Sequence, residues 1–318
     1  MCPDAQGRPR SVGVSFNPRV KCCTYWPPIP NFLAGRALAD ADPAAAAGRA
    51  SIEARIDDRR AVTPFGLARP ADRPSLEANV SAMGQSERLR CPHYVDEQGG
   101  LCGIWNHRHA VCATWFCKHE RGAFGYRAWK SLEELLATAE NELALWCAGE
   151  LGLAPEVLAV SLDLVQRPPE LDPPAPAAWA ARWGTWAGRE REFFVECAKL
   201  VSGLRWAQVL ERTGSFVTTR ARVTRAAFGR AADRSIPARL LVGAHQTVAV
   251  GPDRVAAATY SPYNPAVLPN ALRDALHYFD GRPTAEAIDA IRRERGVEIG
   301  EADVRMLVDH EILRDAGG

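Results

Sequence analysis

The sequence predicts a mainly α chain of the α+β class. It reads as an irregular cysteine-rich metal-binding domain over residues 1–126, a helical region over 127–235 and a small winged-helix-like domain over 236–318. Three observations predict this. Cysteines and histidines crowd between Cys91 and His119, apolar residues recur at helical spacing from Leu132 to Leu204, and short β-prone runs after Pro237 precede three helical patterns.

A chain of 318 residues is long enough for two or three domains, each with its own core. Its 47% apolar and 24% charged content is that of an ordinary soluble globular protein. A formal net charge of +1 gives no reason to expect a nucleic-acid partner or an acidic membrane surface. No run approaches the ~18 apolar residues of a membrane span. Met1 to Arg10 lacks the apolar segment of a secretory signal. A cytoplasmic location is expected, where thiols stay reduced, so nine cysteines point to metal and not to a disulfide framework. Nothing in the sequence fixes the oligomeric state.

Residues 1–31 read as irregular, because Asn17-Pro18 and Pro27-Pro28-Ile29-Pro30 interrupt any regular element. Phe32 to Leu38 reads as a short helix. Ala41 to Arg60 is alanine-rich, with Ile52 and Ile56 four apart, and is expected to be a solvated connecting helix. Ser75 to Arg88 is a further helical candidate. Ser131-Leu132-Glu133-Glu134 has the pattern of a capping box, which would start a helix carrying Leu135, Ala139, Leu143 and Trp146 on one face. Cys147 shares that face and is assigned to the core. Ala154 to Val165 reads as a shorter helix, and Pro168 to Pro176 as a proline-rich loop. Trp179, Trp183 and Trp186 are expected to pack against a helix bearing Phe193, Cys197, Leu200, Val201 and Leu204, in preference to lining a groove. Cys197 is thereby a core residue as well.

In the last third, Leu240 to Val242, Thr247 to Val250 and Val255 to Tyr260 read as strands, with Gly251-Pro252-Asp253 as a turn. Leu268, Leu272, Leu276 and Phe279 mark a first helix. Thr284 is a candidate N-cap for a second helix ending near Gly296, and Val304, Leu307 and Val308 mark a third. Ile312-Leu313 returns as a strand.

The chemistry lies in the crowded stretch. Four of the nine cysteines and four of the seven histidines fall between Cys91 and His119. Thiolate and imidazole select transition metals. Cys91, Cys102, Cys112 and Cys117 would complete a four-ligand site, and the vicinal pair Cys22-Cys23 adds two further thiols. The spacings of ten, nine and four residues match neither zinc ribbons nor ferredoxin runs. Neighbouring Trp105, Trp115 and Phe116 would shield a cluster, which favours an iron–sulfur cluster slightly over zinc. His93, His107, His109 and His119 are read as exposed or supporting groups, with ligation left open.

Two family resemblances follow from these residues. Cys91-Pro92, the turn Asp96 to Gly100, Cys102-Gly103-Ile104-Trp105, Arg108-His109, Cys112 and Cys117 resemble the cysteine core of the YkgJ-type zinc- or iron-chelating proteins. His109 stands where that family has proline and Ala113 where it usually has arginine. Cys22-Cys23 matches its upstream pair. Related proteins include flagellin lysine N-methylases with an iron–sulfur cluster, although this sequence has no glycine-rich cofactor loop. Phe279-Asp280-Gly281-Arg282 followed by Thr284 resembles the winged-helix domains related to PqqD peptide-binding proteins, which implies a peptide or protein partner added as a strand. The expectation is therefore a cysteine-ligated metalloprotein acting with or on a peptide or protein. The alternative is a non-enzymatic module stapled by zinc.

Overall fold

The computed structural model describes residues 16–70, 83–159 and 174–317. With 55% helix and 12% strand in small sheets, the chain is mainly α within the α+β class. Among the described residues no helix is long and apolar enough to cross a membrane.

The first half is assembled around α1 (Asn31–Ala39), the helix expected over Phe32 to Leu38. Asn31 is wholly buried and fully used at its start. Its side-chain NH₂ donates to the carbonyls of Pro64 and Ala144 at 2.9 and 2.8 Å, and its Oδ1 accepts from the Phe32 N–H. Those bonds tie α1 to a small sheet, β1 (Ile29–Pro30), β2 (Val62–Thr63) and β3 (Gly66–Leu67), and to a long helix farther on. Between β1 and β2 runs α2 (Ala46–Asp57). The hairpin β4 (Tyr94–Val95) and β5 (Leu101–Cys102) and the short α3 (Ala110–Thr114) carry the cysteines.

Helices follow: α4 (Gly122–Glu150), α5 (Pro176–Trp183), α6 (Glu190–Ser202) and α7 (Trp206–Ala232). α7 is broken at Gly214, whose φ of +69° only glycine adopts without strain. One core cluster draws on both sides of position 126: Ile29, Phe32, Leu33, Ile52 and Ile56 pack with Leu143, Cys147, Trp183, Phe193, Phe194 and Val201. Trp183 is completely buried, its ring 5.6 Å from both Phe193 and Phe194. The tryptophans thus pack, as expected, and burying each such ring contributes ~2–3 kcal/mol. α1 and α6 approach so closely that a Cβ on Gly35 would overlap the Phe194 carbonyl.

The last third holds two antiparallel three-stranded sheets. In one, β6 (Arg239–Val242) lies between β10 (Asp280–Pro283) and β11 (Leu313–Asp315). The other runs β7 (Gln246–Ala249), β8 (Arg254–Ala258), β9 (Ala266–Pro269). Helices α8 (Asn270–Ala275), α9 (Thr284–Arg295) and α10 (Glu301–Asp309) cover a second core around Leu240, Leu268, Phe279, Ile291 and Leu307. Arg121 joins this unit to the helices. It bonds both oxygens of Asp309 at 2.7 and 2.9 Å and the carbonyls of Ala231 and Asp233.

Several local expectations are corrected. Ser131 starts no helix, because residues 122–130 are already helical; its hydroxyl meets Thr224 at 3.0 Å, and Glu134 pairs with Arg220 instead of reaching back. Thr284 caps nothing: its hydroxyl donates to the Pro237 carbonyl at 2.9 Å, fastening α9 to the strand region. Leu268 belongs to β9, a strand unseen in the sequence, because the chain turns at Pro269 before α8. α2 is no solvated connector, since Gly48, Ile52, Arg55 and Ile56 are all buried. Of the Ser75 to Arg88 candidate, residues 75–82 lie outside the described residues, and Glu87–Leu89 forms a single 3₁₀ turn. The helix expected from Ala154 is seen over residues 155–159, its remainder and most of the proline-rich loop lying outside the described residues.

Candidate metal centre

Each cysteine is placed by a short, hydrogen-bonded turn. Cys91 leads a turn into β4, and Cys102 ends β5 directly opposite Tyr94. The Gly103 N–H donates to the His93 carbonyl at 2.8 Å, closing the base of the hairpin. The backbone N–H two positions on, of His93 for Cys91 and of Ile104 for Cys102, works against burial and favours the thiolate at each. Cys112 sits in the middle of α3. The N-terminal pair is brought in by the turn at residues 18–22. The Cys91 N–H donates to the Cys23 carbonyl at 2.8 Å, and Lys21 Nζ reaches the Gly100 carbonyl at 2.8 Å.

The result is a shared neighbourhood for four thiols. Burial pushes the Cys91 thiol up to about 12, with Cys112 and Cys102 adding to the effect. Burial likewise raises Cys112 to about 12, with Cys102 and Cys22 adding to it, and burial raises Cys102. Cys23 is adjacent through its backbone. Cys117 is buried and faces Tyr263, a residue of the C-terminal unit that also stacks on Phe16. Cys147 and Cys197 are core residues as expected: both are wholly buried, and the Cys147 thiol donates to the Cys197 carbonyl. The eight described cysteines are free thiols.

The histidines are less exposed than the sequence suggests. His107 Nε2 donates to Asp40 Oδ2 at 2.8 Å, which leaves its buried Nδ1 without a partner among the described residues. His93 is 1% exposed; its Nδ1 meets Ser51 Oγ at 2.7 Å and its Nε2 is likewise unpartnered. A ring nitrogen left open while the other is fixed by a polar partner is the arrangement of a ligating histidine. His109 is spoken for on both sides, by Glu140 at 3.2 Å and by the Val111 N–H at 3.3 Å. His119 lies among Tyr126 and Tyr260 beside the C-terminal unit.

The aromatic shield expected from the sequence does not form. Trp105 is 62% exposed under the Arg108 guanidinium, and Trp115 and Phe116 are also exposed, packing on Tyr263 and Trp129. The wall behind the thiols is α2. Gly48 abuts Gly103, Ser51 holds His93, and Arg55 lies near enough to Cys91 for its charge to act on the thiol. These three positions recur at helical spacing, a polar stripe that the alanine-rich composition hid. Glu140, on α4, is a second unanticipated group; burial pushes its carboxyl up to about 7.

The residue types are those of a thiolate-bound ion: four half-buried thiols whose charges act on one another, and the open Nε2 of His93, two residues from Cys91. Among the described residues, no group of three or more His, Cys, Asp or Glu side chains stands close enough to hold a metal as placed. Comparison with protein-family models, with curated proteins and with solved structures finds no match for this chain.

Proposed function

We propose that this chain is a cytoplasmic, cysteine-ligated metal-binding protein of the YkgJ type, with Cys22, Cys91, Cys102 and Cys112 as its ligands. What supports the reading is that Cys91, Cys102 and Cys112, with Cys22 beside Cys112, come from three separate chain segments and lie near enough for their charges to act on one another. Cys23 and Cys117 stand as alternate thiols. The ion is an iron–sulfur cluster or zinc. The C-terminal unit supplies the partner surface: β7 is an edge strand, exposed along its whole length, and a peptide or protein segment adding to it would act with the metal centre.

The second reading is zinc as a purely structural staple in a non-enzymatic interaction module. It is favoured by the exposure of Trp105, Trp115 and Phe116 and by the thin apolar core of residues 83–121, where Leu89, Ile104, Ala110 and Cys117 are the buried hydrophobic residues. Anaerobic purification, metal analysis and a visible spectrum separate the two. Near-stoichiometric iron with a broad visible band supports the cluster; colourless protein with near-stoichiometric zinc supports the staple. Absence of bound metal under those conditions, with none taken up on reconstitution, sinks both.

A further inference from the structure

Residues 212–232 of α7 hold five arginines and no acid, in a chain whose net charge is +1. Arg212 and Arg220 pair with Glu211 and Glu134 at 3.9 and 2.6 Å. Arg222, Arg225 and Arg230 are exposed and enter no ion pair among the described residues. The helix runs antiparallel to α4, since Ser131 meets Thr224 at 3.0 Å while Glu134, three residues on, meets Arg220. Against α4 it buries Val217, Thr224 and Ala227. A neighbouring face stays open beyond the break at Gly214. Phe216, Thr219, Val223 and Ala226 are all exposed there, Phe216 by 71% and Val223 by 46%. Their spacings of three, four and three are those of the a and d positions of a heptad, a narrow seam for one further helix.

The arginines are placed about this seam by the turn of the helix, about 100° per residue. Arg220 and Arg222 flank it on either side, and Arg230 continues it. Arg225 lies about 180° around the helix from Phe216. We propose that this face of α7 docks an acidic amphipathic helix of a partner protein. The partner's apolar residues would cover Phe216 and Val223, and its carboxylates would meet Arg220, Arg222 and Arg230. Charge excludes the pairing of α7 with a second copy of itself, which would set arginine against arginine. A membrane surface needs a broad apolar face, and here that face is already packed against α4. Nucleic-acid phosphates would match the arginines but leave the apolar seam uncovered. The surface is separate from the edge strand β7, and the inference does not depend on the metal centre.

The test is fluorescence anisotropy on the full chain with a labelled synthetic three-heptad peptide, leucine at its a and d positions and glutamate at e and g. Saturable binding that weakens with added salt is expected. Arg222→Glu should weaken it at least about tenfold, because like charges then face each other. Val223→Ser should weaken it about tenfold by removing apolar area from the seam. Arg225→Glu makes the same charge change away from the seam and should weaken it less than about threefold. A peptide with lysine at e and g should bind Arg222→Glu more tightly than it binds wild type. All three side chains are exposed, so none of the substitutions should move the unfolding midpoint. Absence of saturable binding overturns the proposal. So does equal weakening by Arg225→Glu and Arg222→Glu, the mark of diffuse attraction, or undiminished binding by Val223→Ser. Vesicles of phosphatidylcholine and phosphatidylserine, or polyuridylic acid, binding more tightly than the peptide and lost in Arg222→Glu would assign the face to a membrane or to RNA and overturn it as well.

Discussion

The helical core and the cysteine segment are held by opposite means. Around α1 and α6, Trp183, Phe193, Phe194, Cys147 and Cys197 are wholly buried and interlock, and the buried charge beside them, Arg182, donates to the Val62 carbonyl at 3.0 Å. Around Cys91 to Cys112, strands are two residues long, and the buried groups include an arginine, two histidines and a carboxyl raised to about 7. The first region gains its stability from apolar area. The second cannot, and its buried polar atoms make sense as the surroundings of something charged.

The contrast is broken most severely from the core side. Phe194→Ala removes a fully buried ring and should lower stability by about 4 kcal/mol in a urea unfolding curve. Cys112→Ser, in contrast, should leave that curve for metal-free protein nearly unchanged while reducing bound metal.

Two glycines sharpen the comparison. A methyl group on Gly35 would strike the Phe194 carbonyl, and one on Gly48 would strike the Gly103 carbonyl. Gly35→Ala should cost about 1–3 kcal/mol of global stability by forcing α1 from α6. Gly48→Ala should push α2 from the cysteine hairpin, and its signature should be weakened zinc affinity in a competition assay with a smaller change in unfolding.

Acid should act through the cysteine segment. The unfolded chain protonates His93 below its ordinary 6.5, whereas burial holds the folded residue down to about 3. The unfolded state then binds more protons, so stability of metal-free protein falls as pH drops from 6.5 towards 3. At pH 5 the loss is about 2 kcal/mol. Glu140 and His109, 3.2 Å apart, contribute little slope because one proton serves both in the folded and unfolded states across that window. His93→Gln should flatten the acid limb of a pH–stability profile. The smallest effect is expected at the surface, where Asp57→Ala removes an exposed pair with Arg191 and should change stability by less than about 0.5 kcal/mol.

The sequence disclosed what local periodicity controls. The helix over Asn31–Ala39, the packing face of Phe193 and Cys197, and the stop at Gly296 in left-handed geometry are all visible from spacing and residue type. Ser131 and Thr284 misled because a capping pattern is a local option that tertiary contacts override; both hydroxyls bond across to distant segments. β9 was hidden because its apolar residues, Val267 and Leu268, run straight into those of α8. At the site, the cysteines were legible from their crowding. Arg55 and Glu140 were not, because a charged residue on a helix ordinarily faces water, and only the assembled fold buries these two.

Hydrogen exchange on metal-loaded and metal-stripped protein tests the central contrast most directly. Stripping should release the amides of residues 86–119 while those of α1 and α6 keep their protection. Equal protection of residues 86–119 with and without metal would contradict a metal-held segment beside an apolar core.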